Sequence, residues 1–264
     1  MNDITTHTSS LNLLFFKEGF SYCIVSTDNE RPKVHTFQVK HLNQWEKEVI
    51  QELEVNLHLR RNFGQVNVGF LTSFFNLVPT AYESLDAETL LNFSEATFEN
   101  NALLKSETIN GALKIVYGTS QLLIDGLKKL HQQVNFYPAA QVFYAHLVYL
   151  DKDCIHLNWQ HQHLEIMVTQ DKQLIFYNVF ETASDEDVLF YTLFALEQLG
   201  LKANQIQLNT YGALLPETRV FQLLKKYVRY VNAALKDEEV LANFTLYKLN
   251  SCGSSLEVSK EKES

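Results

Sequence analysis

The stretch HLEIMVTQDKQLIFYNVFETASDEDVLFYTLFALEQLGLKANQIQLNTYG, residues 163–212, decides the fold of this chain. Two short runs rich in apolar residues, residues 164–169 and 174–180, predict strands joined at the turn Gln170-Asp171-Lys172. An apolar segment of helical length follows over residues 185–199, and a last apolar run covers residues 206–210. The stretch therefore predicts a hairpin, a helix and a further strand.

The ends of the predicted helix carry stop and start signals. Ser184 followed by Asp187 has the form of a capping box, with Asp in place of the usual Glu or Gln. Gly200 is placed to end the helix in the left-handed conformation. We expect the helix to be buried because it is apolar almost all round, with the residues Val188, Leu189, Phe190, Leu193, Phe194 and Leu196.

The same pattern occurs earlier in the chain. Strand-like runs start at Leu11, Phe20 and Val34, an amphipathic helix covers residues 42–57, and another strand covers residues 66–71. The second copy starts near Ile155, and its first strand precedes the stretch quoted above. We predict a duplicated β-β-β-α-β unit in an α/β fold with mixed sheets, the plan of the actin-like and ribonuclease H-like folds.

This plan predicts four segments. Residues 1–10 form a flexible N-terminus, and residues 11–150 form a first actin-like subdomain with an insertion. Residues 151–250 form the second subdomain, with a last strand at Phe244 to Leu249, and residues 251–264 form a disordered tail.

Several short motifs match a specific group of proteins, namely Leu77-Val78-Pro79, Leu174-Ile175-Phe176-Tyr177-Asn178 with Phe180, Asp187, Glu197-Gln198-Leu199 and Gly212. On these residues the chain resembles a bacteroidete family of uncharacterised proteins assigned an actin-like ATPase fold. The resemblance implies the fold and brings no established activity with it.

Actin-like ATPases hold a nucleotide against two hairpin turns and a later glycine turn, so the resemblance implies where ATP would bind. The first turn, residues 16–21, keeps Gly19 and Ser21 but offers Glu18 in place of an Asp. The second turn, residues 159–163, has neither an acid nor a glycine, although Mg²⁺ needs oxygen ligands. The later turn is represented by Gly212 alone. The candidate cofactor site is therefore Gly19, Ser21 and Gly212, and we expect no catalytic residue.

Composition further restricts the classes of partner and the compartment that we expect. A formal charge of −9 argues against a nucleic-acid partner, because phosphate binding needs a basic face. Three scattered cysteines and an N-terminus without a signal pattern favour a reducing cytoplasm, and no apolar run approaches the roughly 20 residues of a membrane span.

Three clusters of polar residues are candidates for a metal site or a catalytic site. Four possible zinc ligands, Cys154, His156, His161 and His163, lie in one hairpin but match no common zinc spacing, so we expect no metal site there. Asp151 and Asp153 are typical of a turn. Residues 185–187 are acidic at a helix start, where carboxylates favour the dipole.

The sequence therefore favours a degenerate, non-catalytic actin-like scaffold that contacts a protein partner, with a homodimer as one form. The alternative is an ATP-binding or ATP-hydrolysing protein with its nucleotide in the cleft between the two subdomains.

Overall fold

The computed structural model describes residues 9–26, 31–82, 101–107, 113–147 and 153–252, and only the backbone of residues 101–107. The chain divides into two compact units, residues 1–145 with 245–264, and residues 146–244. Each unit is built on a five-stranded mixed sheet.

The first unit opens with a hairpin of three strands, a helix and a parallel strand. Its described elements in chain order are β1 (Ser10–Phe16), β2 (Gly19–Val25), β3 (Val34–Gln38), α1 (Trp45–Val55), β4 (Gln65–Phe70), β5 (Phe75–Pro79), β6 (Asn101–Glu107), β7 (Leu113–Ser120), α2 (Gln121–Leu130), β8 (Val134–Pro138) and α3 (Ala139–Ala145). The main sheet has the order β3-β2-β1-β4-β8, and the inserted strands form a separate antiparallel sheet, β5-β7-β6.

The second unit repeats this order of elements. It comprises β9 (Cys154–Gln160), β10 (His163–Gln170), β11 (Gln173–Glu181), α4 (Asp185–Gln198), β12 (Gln207–Gly212), α5 (Arg219–Tyr227), β13 (Tyr230–Ala233) and α6 (Glu238–Ala242). Its sheet has the order β11-β10-β9-β12-β13, with the hairpin strands antiparallel and β9, β12 and β13 parallel. The predicted mixed α/β class and the double β-β-β-α-β plan are therefore confirmed.

Register makes the two sheets comparable residue by residue. The first hairpin closes at Phe16 and Gly19 in one unit and at Gln160 and His163 in the other. The parallel neighbours β4 and β12 then align as Gln65-Val66-Asn67 and Gln207-Leu208-Asn209. In both, the glutamine Nε2 donates to the asparagine Oδ1 two residues later, at 2.9 Å and 3.0 Å.

The core of the second unit lies between its sheet and two helices. Buried residues of β9, β10 and β12, such as Leu157, Ile166 and Leu208, pack against Val188 and Leu196 of α4 and against α5. The capping box at the start of α4 is confirmed: Asp187 N–H donates to Ser184 Oγ at 3.2 Å, and Ser184 N–H donates to Asp187 Oδ2 at 3.0 Å. Gly200 has φ +67°, as a left-handed helix end requires.

Two structural predictions are wrong. Helix α4 is not buried all round, because Phe190 is 61% exposed and Phe194 43% exposed. The segment Phe244–Lys248 is a helix, α7, and not a strand. A short run rich in apolar residues, such as FTLYKL, suits either conformation, and the sheet neighbour that a strand needs is absent from the described pairings.

The end of the described chain belongs to the first unit. Asn12 Nδ2 donates to the Leu246 carbonyl at 2.9 Å, and Tyr247 OH donates to the Pro32 carbonyl at 2.9 Å. Residues 245–250, assigned by sequence to the second subdomain, thus pack in the first unit. Ser10 opens β1, and Ser251 and Cys252 are helical. The Ser9 carbonyl accepts from Gly64 N–H at 3.0 Å, and residues 1–8 and 253–264 lie outside the described residues.

Candidate functional site

The first hairpin turn, Lys17-Glu18, is fixed by backbone contacts. Val39 N–H donates to the Glu18 carbonyl at 2.8 Å, and Trp45 Nε1 donates to the Phe16 carbonyl at 3.1 Å. One carboxylate oxygen, Glu18 Oε2, is buried and makes no hydrogen bond within the described part of the chain. This oxygen is the acidic group that the turn offers.

Gly19 and Ser21 lie on β2, directly after this turn. A Cβ atom on Gly19 would lie 2.1 Å from the Phe37 carbonyl oxygen, so glycine is required for the close approach of β3. The Ser21 side chain is buried, and its Oγ lies 2.8 Å from Thr36 Oγ1. Both residues therefore have a packing role in the sheet of the first unit.

The second hairpin turn, His161-Gln162, has a different geometry. Both residues have left-handed φ angles, 49° and 58°, as in a type I′ turn. The turn carbonyls are occupied: His163 Nδ1 lies 2.6 Å from the His161 oxygen, and Thr182 N–H donates to the Gln162 oxygen at 2.8 Å. Burial, aided by the charge of His163, lowers the pKa of His161 to about 4, so this imidazole is neutral at pH 7.

Gly212 ends β12 beside this second turn. It pairs with Trp159 in parallel register and has φ +69°, and a Cβ atom would lie 2.2 Å from the Trp159 oxygen. Ala213 N–H donates to that oxygen at 2.7 Å, and Trp159 Nε1 donates to Thr182 Oγ1 at 2.8 Å. The structure thus brings Gly212 to the second turn, while Gly19 and Ser21 adjoin the first.

A buried acid that the sequence did not reveal lies three residues after the second turn. Glu165 is fully buried on β10, at the position that Ser21 occupies on β2. Asn158 Nδ2 donates to its Oε2 at 2.6 Å, and Tyr177 OH donates to its Oε1 at 2.8 Å. Burial raises the pKa of Glu165 to about 7, although these hydrogen bonds oppose the rise.

The signal for Glu165 was its place in the strand HLEIMVTQ, opposite Asn158 in CIHLNWQ. A charged residue inside an apolar strand requires a buried partner. The sequence of the second turn, residues 159–163, could not reveal this acid because Glu165 lies outside it.

The histidine hairpin does not assemble a metal site within the described residues, where no three His, Cys, Asp or Glu side chains converge. Burial lowers the pKa of His156 to about 4, and its Nε2 lies 3.3 Å from Thr169 Oγ1. Asp153 Oδ1 accepts from Asp171 N–H at 3.1 Å, which supports the turn reading. Asp151 lies outside the described residues.

Comparison with known proteins agrees with this architecture. A family model described as "Protein of unknown function (DUF3822)" matches residues 1–231. No protein of curated function matches the chain. No helix among the described residues is both long and apolar enough to cross a membrane.

Several solved structures are similar over nearly the whole chain. A Bacteroides thetaiotaomicron protein with an actin-like ATPase fold and unknown function is 18% identical, with a TM-score of 0.77, covering 96% of this chain and 99% of that one. A PilM-PilN type IV pilus biogenesis complex matches at 11% identity and a TM-score of 0.62, covering 94% and 98%. The ethanolamine utilization protein EutJ from Carboxydothermus hydrogenoformans matches at 8% identity and a TM-score of 0.50, covering 94% and 89%. These likenesses show the actin-like ATPase fold.

Proposed function

The chain belongs to the DUF3822 family of proteins of unknown function, and we propose that it is a non-catalytic actin-like scaffold that works by binding a protein partner. The observation that carries this proposal is the second hairpin turn. It offers no acid for Mg²⁺, and its two carbonyl oxygens are already occupied by His163 and Thr182.

The candidate nucleotide residues support the same proposal. Gly19 and Gly212 are explained by steric need within their own sheets, and Ser21 Oγ lies within hydrogen-bonding distance of Thr36. The acid of the second unit, Glu165, is enclosed by Asn158 and Tyr177, which donate hydrogen bonds to both of its oxygens, and burial raises its pKa to about 7. A carboxyl group in this state is a poor ligand for Mg²⁺.

A protein partner is supported by one similar structure. The similar PilM-PilN structure is a type IV pilus biogenesis complex. We propose a protein partner for this chain also, with a second copy as the candidate taken up below. The three cysteines are buried and form no disulfide, which favours the cytoplasm as the place of this function.

We further propose that the two units arose by duplication. The shared strand order and the repeated Gln-x-Asn hydrogen bond on β4 and β12 support this history. In this proposal the second turn lost its nucleotide chemistry after the duplication.

The rival function, ATP binding, has one observation in its favour. Glu18 Oε2 is buried without a hydrogen-bond partner in the described residues, and a bound cation would satisfy it. A protein that binds Mg-ATP through Gly19, Ser21 and Gly212 would use this oxygen for the metal.

Isothermal titration of the full chain with Mg-ATP separates the two functions. The scaffold proposal expects no binding up to a Kd of about 1 mM, and no rise in melting temperature with Mg-ATP. Micromolar binding that is lost in Glu18→Gln and retained in the control Glu54→Gln would overturn it. Glycine variants are unsuitable here, because a Cβ at Gly19 or Gly212 clashes with backbone.

A further inference from the structure

The outer face of α4 carries two exposed aromatic side chains. Phe190 and Phe194 stack at a centroid distance of 6.0 Å with an interplanar angle of 13°. Acidic residues flank this pair along the helix, Glu186 before it and Glu197 after it, and both are exposed. The face is therefore apolar at its centre and negative at its ends.

The fold does not require these aromatic residues. Helix α1 connects β3 to β4 in the first unit as α4 connects β11 to β12 in the second. Its exposed face carries Lys47, Gln51 and Glu54, with Val55 exposed at its last residue. Since the equivalent helix covers its sheet without any exposed aromatic side chain, Phe190 and Phe194 point to a function beyond folding.

Helix α5 lies beside α4 and presents the opposite charge. Both helices pack on the same face of the sheet, and Arg219 at the start of α5 is bonded to Asp185 at 3.1 Å and to Glu186. The end of α5 exposes Lys225, Lys226 and Tyr227, in a chain with a net charge of −9. The two helices thus form one layer, with one acidic and aromatic helix and one basic helix.

We propose that this two-helix face is the interface through which a second copy of the chain binds. The starts of α4 and α5 are joined by Arg219, so the two helices run in the same direction. A two-fold axis that lies in the interface and runs parallel to the helices places α4 of each copy on α5 of the other, in the same direction. The phenylalanines are then covered, and the dimer contains two equivalent contacts between an acidic helix and a basic helix.

The distribution of charge favours this arrangement of two copies over others. Contact of α4 with its own equivalent would oppose Glu186 and Glu197 to acids of the same sequence, which is repulsive. Elsewhere the net negative charge of each copy opposes association. The inference deepens the proposed scaffold role and rests on it, because it names the partner.

Sedimentation equilibrium of the full chain, without nucleotide and at low salt, tests the interface. We expect a dimer at about 50 µM that weakens as salt is added. The double variant Phe190→Ser/Phe194→Ser should raise the dimer Kd about 100-fold, because central aromatic residues dominate interfaces. The α1 control, Lys47→Ser/Gln51→Ser, should leave the Kd within about twofold.

A charge exchange adds specificity to the test. Glu186→Lys/Glu197→Lys on α4 and Lys225→Glu/Lys226→Glu on α5 should each abolish self-association, and an equimolar mixture of the two variants should form a heterodimer. Circular dichroism confirms that each variant is folded. A wild-type monomer at all concentrations, a dimer unaffected by the phenylalanine variant, or a mixture that stays monomeric would each overturn the proposal.

The two proposals fail separately. Self-association is measured without nucleotide, so its absence leaves the titration result on Mg-ATP unchanged. Binding of Mg-ATP would overturn the non-catalytic scaffold and leave the dimer measurement intact.

Discussion

The two units share one topology and differ in the chemistry at equivalent positions. Ser21 of β2 corresponds to Glu165 of β10, Asn12 of β1 to His156 of β9, and Phe70 of β4 to Gly212 of β12. The strand order is nevertheless identical. Apolar periodicity and turn length therefore maintain this topology. Polar residues in the sheet interior can be exchanged if each forms a hydrogen bond there.

The largest effect is expected where β12 ends. Gly212→Ala should lower the free energy of unfolding by about 3 kcal/mol or more, because its Cβ would meet the Trp159 backbone and its φ is left-handed. In the first unit, Gly69→Ala should cost only about 1 kcal/mol, since the nearest atom is the flexible end of Leu14 at 3.0 Å. Urea denaturation measures both. Equal losses would show that the close approach at Gly212 is not a constraint.

The asparagine pair gives the next effect. Asn67 accepts from Gln65 and Asn135 at 2.9 Å and 3.2 Å and donates to Asn12 at 3.1 Å, so Asn67→Ala should cost about 2–3 kcal/mol. Asn209→Ala should cost about 1 kcal/mol, because Asn209 Nδ2 is buried without a partner in the described residues. Chemical denaturation of the two variants compares these costs. A larger loss at Asn209 would contradict the assignment.

The third effect is a pH dependence that Glu165 of the second unit should produce. The folded pKa of Glu165, about 7, lies above its ordinary 4.5, so the folded state binds the proton more tightly. Stability from this group is complete below about pH 4.5 and is lost as the pH rises through about 7, by an amount of order 2 kcal/mol.

Glu165→Gln should remove this loss of stability with rising pH, and the control Glu54→Gln should not. The test is to measure the free energy of unfolding of variant and wild type at pH 5 and at pH 8, and to compare the change between the two pH values. The difference is needed because His156, with its pKa lowered to about 4, acts oppositely as the pH falls below 6.5. If Glu165→Gln leaves the pH dependence of the free energy of unfolding unchanged, groups other than Glu165 cause it.

Much of the fold could be predicted from the sequence because its signals are local. Apolar runs of strand length, the Ser184 and Asp187 cap and Gly200 each act within a few residues. The exposure of Phe190 could not be predicted, because an apolar helix surface says nothing about which neighbour covers it. The helix at residues 244–248 depends likewise on distant contacts, such as Asn12 with Leu246.

The candidate site was less predictable for a related reason. The missing acid of the second turn could be seen in residues 159–163, but the role of Glu165 depends on Asn158 and Tyr177 on two other strands. Such contacts follow from register, which a single sequence does not specify. The packing roles of Gly19 and Gly212 were hidden in the same way.

The return of the chain to the first unit has a consequence for synthesis on the ribosome. The second unit, residues 146–244, is an insertion within the first, whose β1 and β4 contact the segment after residue 244. Leu249 and Cys252 are buried, so the first unit lacks these core residues until its last segment has emerged. The unit that begins first along the chain is therefore completed last, and the nascent protein carries a finished second unit while the first awaits its closing helix.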